Sequence, residues 1–251
     1  MKFQLPTILA VSGLALACAV ANSGSAPAAD SLFEQGLTAF RAGDFAGATQ
    51  AFRDSLTNQP ASGTLVNLGI AEWRRGRAGQ AILAWEQASW IDPYERAARN
   101  NLDFARTVVQ LDEPYLKWYE SASTWLPPDV WAWLAWGSLW LAVAMILLPR
   151  VRRWRKSGWH QALAALGLGV FLLSIPAHLG IVTRSRMGIV LDNNTPLRLT
   201  PTEDAESVSS LAAGETARRV RARGDFVFIR TLRDSGWIKR EQFGPNCPNA
   251  E

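Results

Sequence analysis

The alternation of hydrophobic and polar residues divides the chain into segments of different character. An almost wholly apolar run, 5–21, is followed by helical periodicity over residues 30–111. Two long runs without charged side chains come next, at 130–148 and 162–182. The final segment, 188–247, changes to period two, with turn residues between short apolar clusters. The pattern therefore predicts a leader, a helical domain, two apolar helices and a small all-β domain.

The first apolar run is typical of a secretory signal peptide. Lys2 precedes it, and Ala19-Val20-Ala21 fits a small-residue cleavage site. We predict a signal peptide within residues 1–29. Two alternatives remain, an uncleaved anchor helix and lipidation at Cys18.

The helical segment contains an internal repeat of 33 residues. The equivalent positions are Gly36 and Gly69, Gly43 and Gly76, Ala48 and Ala81, Phe52 and Trp85, and Pro60 and Pro93. In each unit, small residues let two antiparallel helices approach, an aromatic ring fills the space between them, and proline ends the second helix. These residues resemble the tetratricopeptide repeat, and a third partial unit at 96–109 is expected to cap the stack. A generic pair of helical hairpins is the alternative.

The resemblance implies a groove, lined by the first helix of each unit, that binds a peptide or helix of a partner protein. In this register the groove residues are Phe33, Leu37, Phe40, Arg41, Asn67, Ile70, Trp73 and Arg74. Phe33 stands where the carboxylate-binding variant of the family has lysine, which argues against a C-terminal carboxylate as ligand. The alternative for Phe40 and Trp73 is packing against the neighbouring repeat.

The two uncharged runs are long enough to cross a membrane. The first, of 19 residues, makes a helix of about 28 Å, close to the ~30 Å hydrocarbon core of a bilayer. Seven of the 12 tryptophans lie between Trp125 and Trp159, as in an interfacial aromatic belt. Ala165 and Gly169 are spaced for a close helix contact. The alternative is a buried helical hairpin of a soluble domain.

Charge determines the predicted orientation. The net charge is +4, and a single stretch between the apolar runs produces it, formed by Arg150, Arg152, Arg153, Arg155 and Lys156. This loop is expected in the cytoplasm, so both flanking domains are expected outside it. Because one loop carries the excess of positive charge, the pI near 9.4 does not indicate nucleic-acid binding.

The sequence offers little material for catalysis. It contains two cysteines and two histidines, and it lacks the nucleophile-elbow, P-loop and HExxH motifs. We therefore predict that the protein is not an enzyme and has no catalytic residues, cofactor or metal site.

The last segment is predicted to form a small all-β barrel. The cluster at 197–199, the turn at 214–215 and the Gly-Trp-Ile ending at 236–238 resemble the bacterial SH3-type (SH3b) domain. That resemblance implies binding of cell-wall peptides or partner segments. The candidate ligand-binding residues are Phe226, Phe228 and Trp237. The alternative is a passive barrel with Trp237 in its core.

The order of these domains is similar to that of the BatE-type proteins of bacterial aerotolerance operons. The resemblance implies a non-catalytic scaffold in the cytoplasmic membrane, with membrane-anchored von Willebrand A-domain proteins and a MoxR-type ATPase as partners. A peptidoglycan-binding module is the alternative function. The predicted segments are the signal peptide 1–29, tetratricopeptide repeats 30–111, a juxtamembrane linker 112–129, transmembrane helices 130–149 and 161–183, the basic cytoplasmic loop 150–160 and the SH3-like domain 187–247.

Overall fold

The computed structural model describes residues 26–151 and 158–247, in which helices precede a β-sheet. The helices are α1 (Ala26–Arg41), α2 (Phe45–Asn58), α3 (Ser62–Arg74), α4 (Ala78–Ile91), α5 (Arg96–Val109), α6 (Trp118–Ala122), α7 (Pro128–Val151) and α8 (Gly158–Arg184). The strands are β1 (Met187–Val190), β2 (Thr195–Arg198), β3 (Ser207–Leu211), β4 (Thr216–Arg223), β5 (Phe226–Arg230), β6 (Ser235–Lys239) and β7 (Phe243–Pro245).

The first four helices form two hairpins built in the same way. Gly43 and Gly76 adopt φ angles of +80° and +77° in the turns, where an L side chain is disfavoured. A Cβ added to Gly36 would lie 2.5 Å from the Phe52 ring, and one added to Gly69 would lie 2.3 Å from Trp85 Nε1. Residues 33 apart in sequence therefore make equivalent contacts.

The ring of Trp85 is fully enclosed in the second hairpin. Its indole Nε1 donates to the carbonyl of Val66 at 3.1 Å, so the buried polar atom is satisfied. Leu102 and Ala105 of α5 pack into the same cluster. The fifth helix thus covers the open side of the second hairpin, as predicted for 96–109.

Helices α7 and α8 form an antiparallel pair with little burial. Pro128–Pro149 and Gly158–Arg184 have mean hydropathies of 1.8 and 2.0. Only 6% and 22% of their most apolar 18-residue stretches are buried. Both are long and apolar enough to cross a membrane, and their exposure argues against the core hairpin of a soluble domain.

The close contact between α7 and α8 differs from the predicted one. A Cβ at Gly167 would lie 2.7 Å from the carbonyl oxygen of Ser138, whereas Gly169 has nothing within 4 Å and Ala165 is exposed. Two residues correspond to about 200° around a helix, so Gly169 lies on the side away from Gly167. The close contact with α7 is made at Gly167, on the opposite side of the helix, so the prediction for Ala165 and Gly169 was wrong.

The strands form one antiparallel sheet in the order β3-β2-β6-β5-β4-β1-β7. Its core cluster contains Val190, Leu197, Leu211, Ala217, Val227, Ile229, Ile238 and Phe243. The predicted cluster at 197–199 overlaps β2, and the predicted Gly-Trp-Ile segment at 236–238 lies on β6. Strands β3 and β7 have no such cluster because they are edge strands, the first rich in serine and the second only three residues long.

The sheet packs against α4, which the sequence did not predict. Ile189 of β1 is 0% exposed and belongs to the cluster that contains Ile82, Trp85 and Leu102. The helices α1–α5 and the sheet therefore share a core, and we call them together the head unit.

Several predicted boundaries differ from the structure. The range 1–29 ends inside α1, where Ala29 is 5% exposed and its carbonyl accepts from Ser55 Oγ. The predicted linker, 112–129, contains α6. Helix α7 continues to Val151, two residues into the predicted basic loop, 150–160. Residues 1–25, with Cys18, and 152–157, with Arg152, Arg153, Arg155 and Lys156, lie outside the described residues.

Candidate functional site

The predicted groove residues of α1 are mostly part of the hairpin core. Phe33, Leu37 and Phe40 are partly buried and pack against the cluster formed by α1–α4. The Phe33 and Phe52 ring centroids are 5.7 Å apart, and those of Phe40 and Phe45 are 5.2 Å apart. These side chains leave only part of their surface for a ligand.

The groove residues of α3 reach further towards the surface. Ile70 packs against both hairpin clusters, whereas Asn67 Nδ2 donates to the carbonyl of Gly63 at 2.9 Å. Arg74 at the end of α3 is exposed, as is Arg41 at the end of α1. The two arginines therefore lie at equivalent ends of the first helices, 33 residues apart.

Trp73 joins the second hairpin to α5. Its ring centroid is 6.0 Å from that of Trp85 and 5.7 Å from that of Phe104. Phe104 is 56% exposed, so the pair presents apolar surface, and Arg74, the residue after Trp73 at the end of α3, is exposed as well. We call Trp73, Arg74 and Phe104 the aromatic–arginine face. Phe104 was missed because α5 was interpreted only as a cap, although it is an exposed phenylalanine in a predominantly polar helix.

Glu72 is a buried acid of α3, and its charge is used in ion pairs. It is 1% exposed, it pairs with Arg53, and Arg75 Nη1 lies 3.2 Å from its Oε2. Arg75 Nη1 also donates to Thr49 Oγ1 at 2.8 Å. A buried carboxylate with two arginine partners is an internal ion pair that ties α2 to α3. Across the described ranges, no group of three or more His, Cys, Asp or Glu could hold a metal ion.

A second buried acid connects the sheet to the apolar helices. Glu120 of α6 is 0% exposed and accepts from Arg218 Nη1 at 2.8 Å and from the Lys117 backbone N–H at 2.9 Å. Arg218 of β4 also donates to the carbonyl of Thr183 in α8 at 3.3 Å. Burial alone would raise the pKa of Glu120, but the Arg218 guanidinium and the backbone N–H outweigh it and lower the pKa below its ordinary value.

Arg184 makes a further connection at the same place. Its Nη1 donates to Ser123 Oγ at 3.1 Å, and its guanidinium lies 4.9 Å from the ring centroid of Trp90 at the end of α4. We call Glu120, Arg184 and Arg218 the junction. It links α4, α6, α8 and β4, so the head unit is held to one end of the α7–α8 pair.

Glycines allow the sheet to approach α4. A Cβ at Gly79 would lie 2.2 Å from the backbone oxygen of Leu191, and a Cβ at Gly244 would lie 2.3 Å from Leu83 Cδ2. Gln87 Nε2 donates to the Pro245 carbonyl at 3.0 Å. This interface had a signal in the sequence, because α4 carries Ile-Leu at 82–83 where the equivalent positions of α2, 49–50, carry Thr-Gln.

The predicted ligand residues of the sheet lie on the face opposite its core cluster. Phe226 and Trp237 are 9% and 5% exposed, and Phe228 is partly buried. The rings of Phe228 and Trp237 are 5.3 Å apart, and Arg221 lies 5.0 Å from each centroid. Strand register aligns Arg198, Trp237, Phe228 and Arg221 across four strands. We call these four residues the sheet aromatic row.

A cleft of about 610 Å³ separates the segment after α5 from the sheet. Tyr115 and Glu215 are among its lining residues. Burial raises the pKa of the Glu215 carboxyl, and a hydrogen bond from the Ala212 N–H offsets this only in part. Asp112 and Arg233, an exposed pair at 2.8 Å, lie at the same cleft.

Comparison of the chain with protein-family models, with curated proteins and with solved structures finds no match. The aromatic–arginine face, the junction and the two apolar helices are therefore the features that support a function.

Proposed function

We propose that the protein is a non-enzymatic scaffold that is anchored by α7 and α8 in the bacterial cytoplasmic membrane and binds partner proteins. The observation that carries this proposal is the aromatic–arginine face, in which the half-exposed Phe104 contacts Trp73, and the exposed Arg74 follows Trp73 at the end of α3. Aromatic residues and arginine are the types most enriched at the energetic centres of protein interfaces. The face belongs to a unit joined to two apolar helices, as a membrane-anchored scaffold requires.

The helical part of the head unit is proposed to be a tetratricopeptide repeat domain and the sheet an SH3-like domain. The equivalent glycine–aromatic contacts at Gly36 and Gly69 support the first assignment. The small antiparallel sheet with the Gly-Trp-Ile segment in β6 supports the second. On the resemblance in domain order, we extend the proposal to a BatE-like complex with von Willebrand A-domain proteins and a MoxR-type ATPase.

Both parts of the head unit are proposed to be extracytoplasmic. Because the helices and the sheet share the cluster around Ile189, they belong on the same side of the membrane. The segment that joins α7 to α8 at the opposite end contains the basic residues, which favour the cytoplasm. The predicted signal peptide agrees with this orientation.

The scaffold proposal can be tested by site-specific photo-crosslinking in intact cells. A photo-reactive phenylalanine analogue replaces Phe104, whose exposure allows the change without loss of core packing. The matched control carries the analogue at Gln50, an exposed position on α2. We expect a discrete protein adduct at 104 that Arg74→Glu weakens, and none at 50. Equal adduct patterns at both positions would contradict the proposed binding face.

A second candidate function is binding of peptidoglycan through the sheet. The observation that favours it is the position of Arg221 over Phe228 and the buried Trp237, which offers an acidic peptide a cation and the accessible part of the Phe228 ring. In detergent, the full chain is expected to co-sediment with purified sacculi, and Arg221→Ser with Phe228→Ser is expected to abolish this. Val208→Ser, at an exposed position on β3, is the control. Sedimentation that does not change in the double variant rules out this face.

A further inference from the structure

Four exposed aromatic residues lie in α6, beside it in sequence or hydrogen-bonded to the segment after it, and one of them, Tyr115, also lines the cleft described above. Tyr94 is 59% exposed, Tyr115 75%, Trp118 72% and Trp125 69%. Large exposed aromatic residues that lie close together mark a surface with an occupant. The position of α6 on α8 indicates what that occupant is.

Helix α6 lies directly on the outer part of α8. A Cβ at Gly180 would be 2.2 Å from the carbonyl oxygen of Tyr119, and Ser123 accepts from Arg184 at the last residue of α8. The 27 residues of α8 span about 40 Å, which exceeds a hydrocarbon core of ~30 Å. The uncharged run of α8 ends at Val182 and Arg184 follows it, so we expect the end of α8, and α6 with it, at the level of the lipid headgroups.

The exposed ring of Trp118 lies away from the side of α6 that is buried. Glu120 and Ser123 are 0% and 1% exposed and face the junction, whereas Trp118 lies at the surface of the same short helix. Trp125 follows two residues after Ser123, and its carbonyl accepts from the Tyr94 hydroxyl. This hydrogen bond brings the loop between α4 and α5 to the same level as α6.

We propose that residues 115–125, together with Tyr94, form an interfacial anchor whose rings insert among the headgroups of the leaflet beneath the head unit. Tryptophan and tyrosine favour this depth because each has an apolar ring and a polar group. Among Asp, Glu, Lys and Arg, the residues between 114 and 128 are Lys117 and Glu120, and Glu120 is buried in its pair with Arg218. Attraction to anionic lipid is therefore not required, and a phosphatidylcholine surface is sufficient.

The anchor rests on the membrane attachment in the proposed function, but it is independent of the partner-binding face. Two spanning helices leave a head unit free to tilt. A third contact beside them, fixed to the sheet through Glu120 and Arg218, holds the head unit in one orientation on the bilayer.

The test is a depth measurement on the full chain in phosphatidylcholine vesicles. With Cys18→Ser and Cys247→Ser as background, a spin label is attached through Lys117→Cys, which leaves Trp118 and Trp125 in place. Leu173→Cys, 79% exposed in the middle of α8, reports the hydrocarbon core, and Val208→Cys on β3 reports water. The ratio of collision rates with oxygen and with a water-soluble nickel chelate gives the depth of each label.

The expected result is a depth at 117 between those at 173 and 208, and a shift towards the value at 208 when Trp118→Ser and Trp125→Ser are added. The label at 173 in that variant checks that the helices remain inserted. A value at 117 equal to that at 208, or one unchanged by the two substitutions, overturns the anchor and leaves the proposed function intact. Shielding of 117 from both reagents overturns it in favour of a protein contact, and a requirement for phosphatidylglycerol overturns it in favour of electrostatic attraction. Water-like values at 173 refute the membrane attachment itself.

Discussion

Gly36 and Gly69 define how closely the helices of each hairpin approach. Each lacks a side chain, and an aromatic ring of the partner helix, Phe52 or Trp85, occupies the space that a Cβ would take. This pairing could be predicted from the sequence, because the same residue types recur 33 positions apart. Gly79 makes an equally close contact, but with the distant Leu191, and no local pattern predicts a contact between parts of the chain so far apart.

Gly69→Ala is expected to destabilise the protein by about 1–3 kcal/mol, because its Cβ would lie 2.3 Å from the enclosed Trp85 ring. The matched control is Gly63→Ala in the same helix, where nothing lies within 4 Å of the new methyl group. The control is expected to be neutral or to stabilise by up to about 1 kcal/mol. Urea-dependent proteolysis of the full chain in detergent measures both, and equal midpoints for the two variants would contradict the prediction.

Glu120 is expected to make stability depend on pH in a defined direction. Because the folded-state pKa is lowered below the ordinary 4.5, the carboxylate stabilises the fold above that pH and loses its effect as pH falls through the lowered pKa. Glu120→Gln is expected to cost about 2 kcal/mol at pH 7, since a charged hydrogen bond to Arg218 is weakened. The cost is expected to shrink below pH 4.5, as measured by the urea midpoint.

Glu215 provides the control for this pH dependence, because its shift has the opposite sign. Burial raises its pKa, so the ionised form disfavours the folded state, and the effect is present only above its ordinary value of 4.5. Glu215→Gln is expected to be neutral or stabilising at pH 7 and to lose any effect in acid. If both variants respond to pH in the same direction, the roles assigned to the two carboxyl groups are wrong.

Among the elements, the structure differs from the sequence prediction where an element is short or depends on distant contacts. The long helices follow from periodicity and apolar length, so α1–α5, α7 and α8 were predicted with small boundary differences. Helix α6 has five residues, too few for a periodic pattern, and it is held by Glu120 at the junction. The edge strands β3 and β7 carry too few apolar residues to be recognised. Residue propensities alone do not determine the secondary structure of such short segments.

The α4–sheet interface is expected to depend on Gly79. Gly79→Ala places a methyl group 2.2 Å from the Leu191 backbone oxygen, and backbone cannot move aside as a flexible side chain can. We expect faster amide hydrogen exchange in β1 and β7, with β2 and β3 unchanged. Gly137→Ala in α7, which has open space around it, is the control for a helical glycine. Unchanged exchange in β1 would show that the sheet does not depend on this close approach.

The molecule as a whole consists of a head unit with a continuous core and an apolar helix pair at one end of it. The aromatic–arginine face adjoins this core, since Trp73 contacts Trp85 and Trp85 shares a cluster with Ile189. The segments and their order could be predicted from the sequence, but the junction and the shared core could not. Both depend on pairs such as Glu120 and Arg218, almost 100 residues apart, which no single-sequence pattern connects.

Ile189→Ala tests whether the helices and the sheet form one cooperative unit. Ile189 and Ile238 are both 0% exposed, and replacing either by alanine is expected to cost about 2–5 kcal/mol. Ile238 belongs only to the cluster inside the sheet, whereas Ile189 packs with Trp85 and Leu102. We therefore expect Ile189→Ala to accelerate hydrogen exchange in α4 and α5 as well as in β1, and Ile238→Ala to do so in the sheet alone.

Independent domains would give a different result, in which Ile189→Ala leaves α5 protected and affects only the sheet. The distinction matters for the scaffold, because a partner bound at Trp73 and Phe104 is held at a fixed distance from the bilayer only if the sheet and α5 move together. With the shared core intact, the junction transmits the orientation of α8 to the binding face. Without it, α5 and its exposed phenylalanine would be connected to the apolar helices only through the chain between 110 and 117 and through the contacts of Trp90 with Arg184 and of Tyr94 with Trp125.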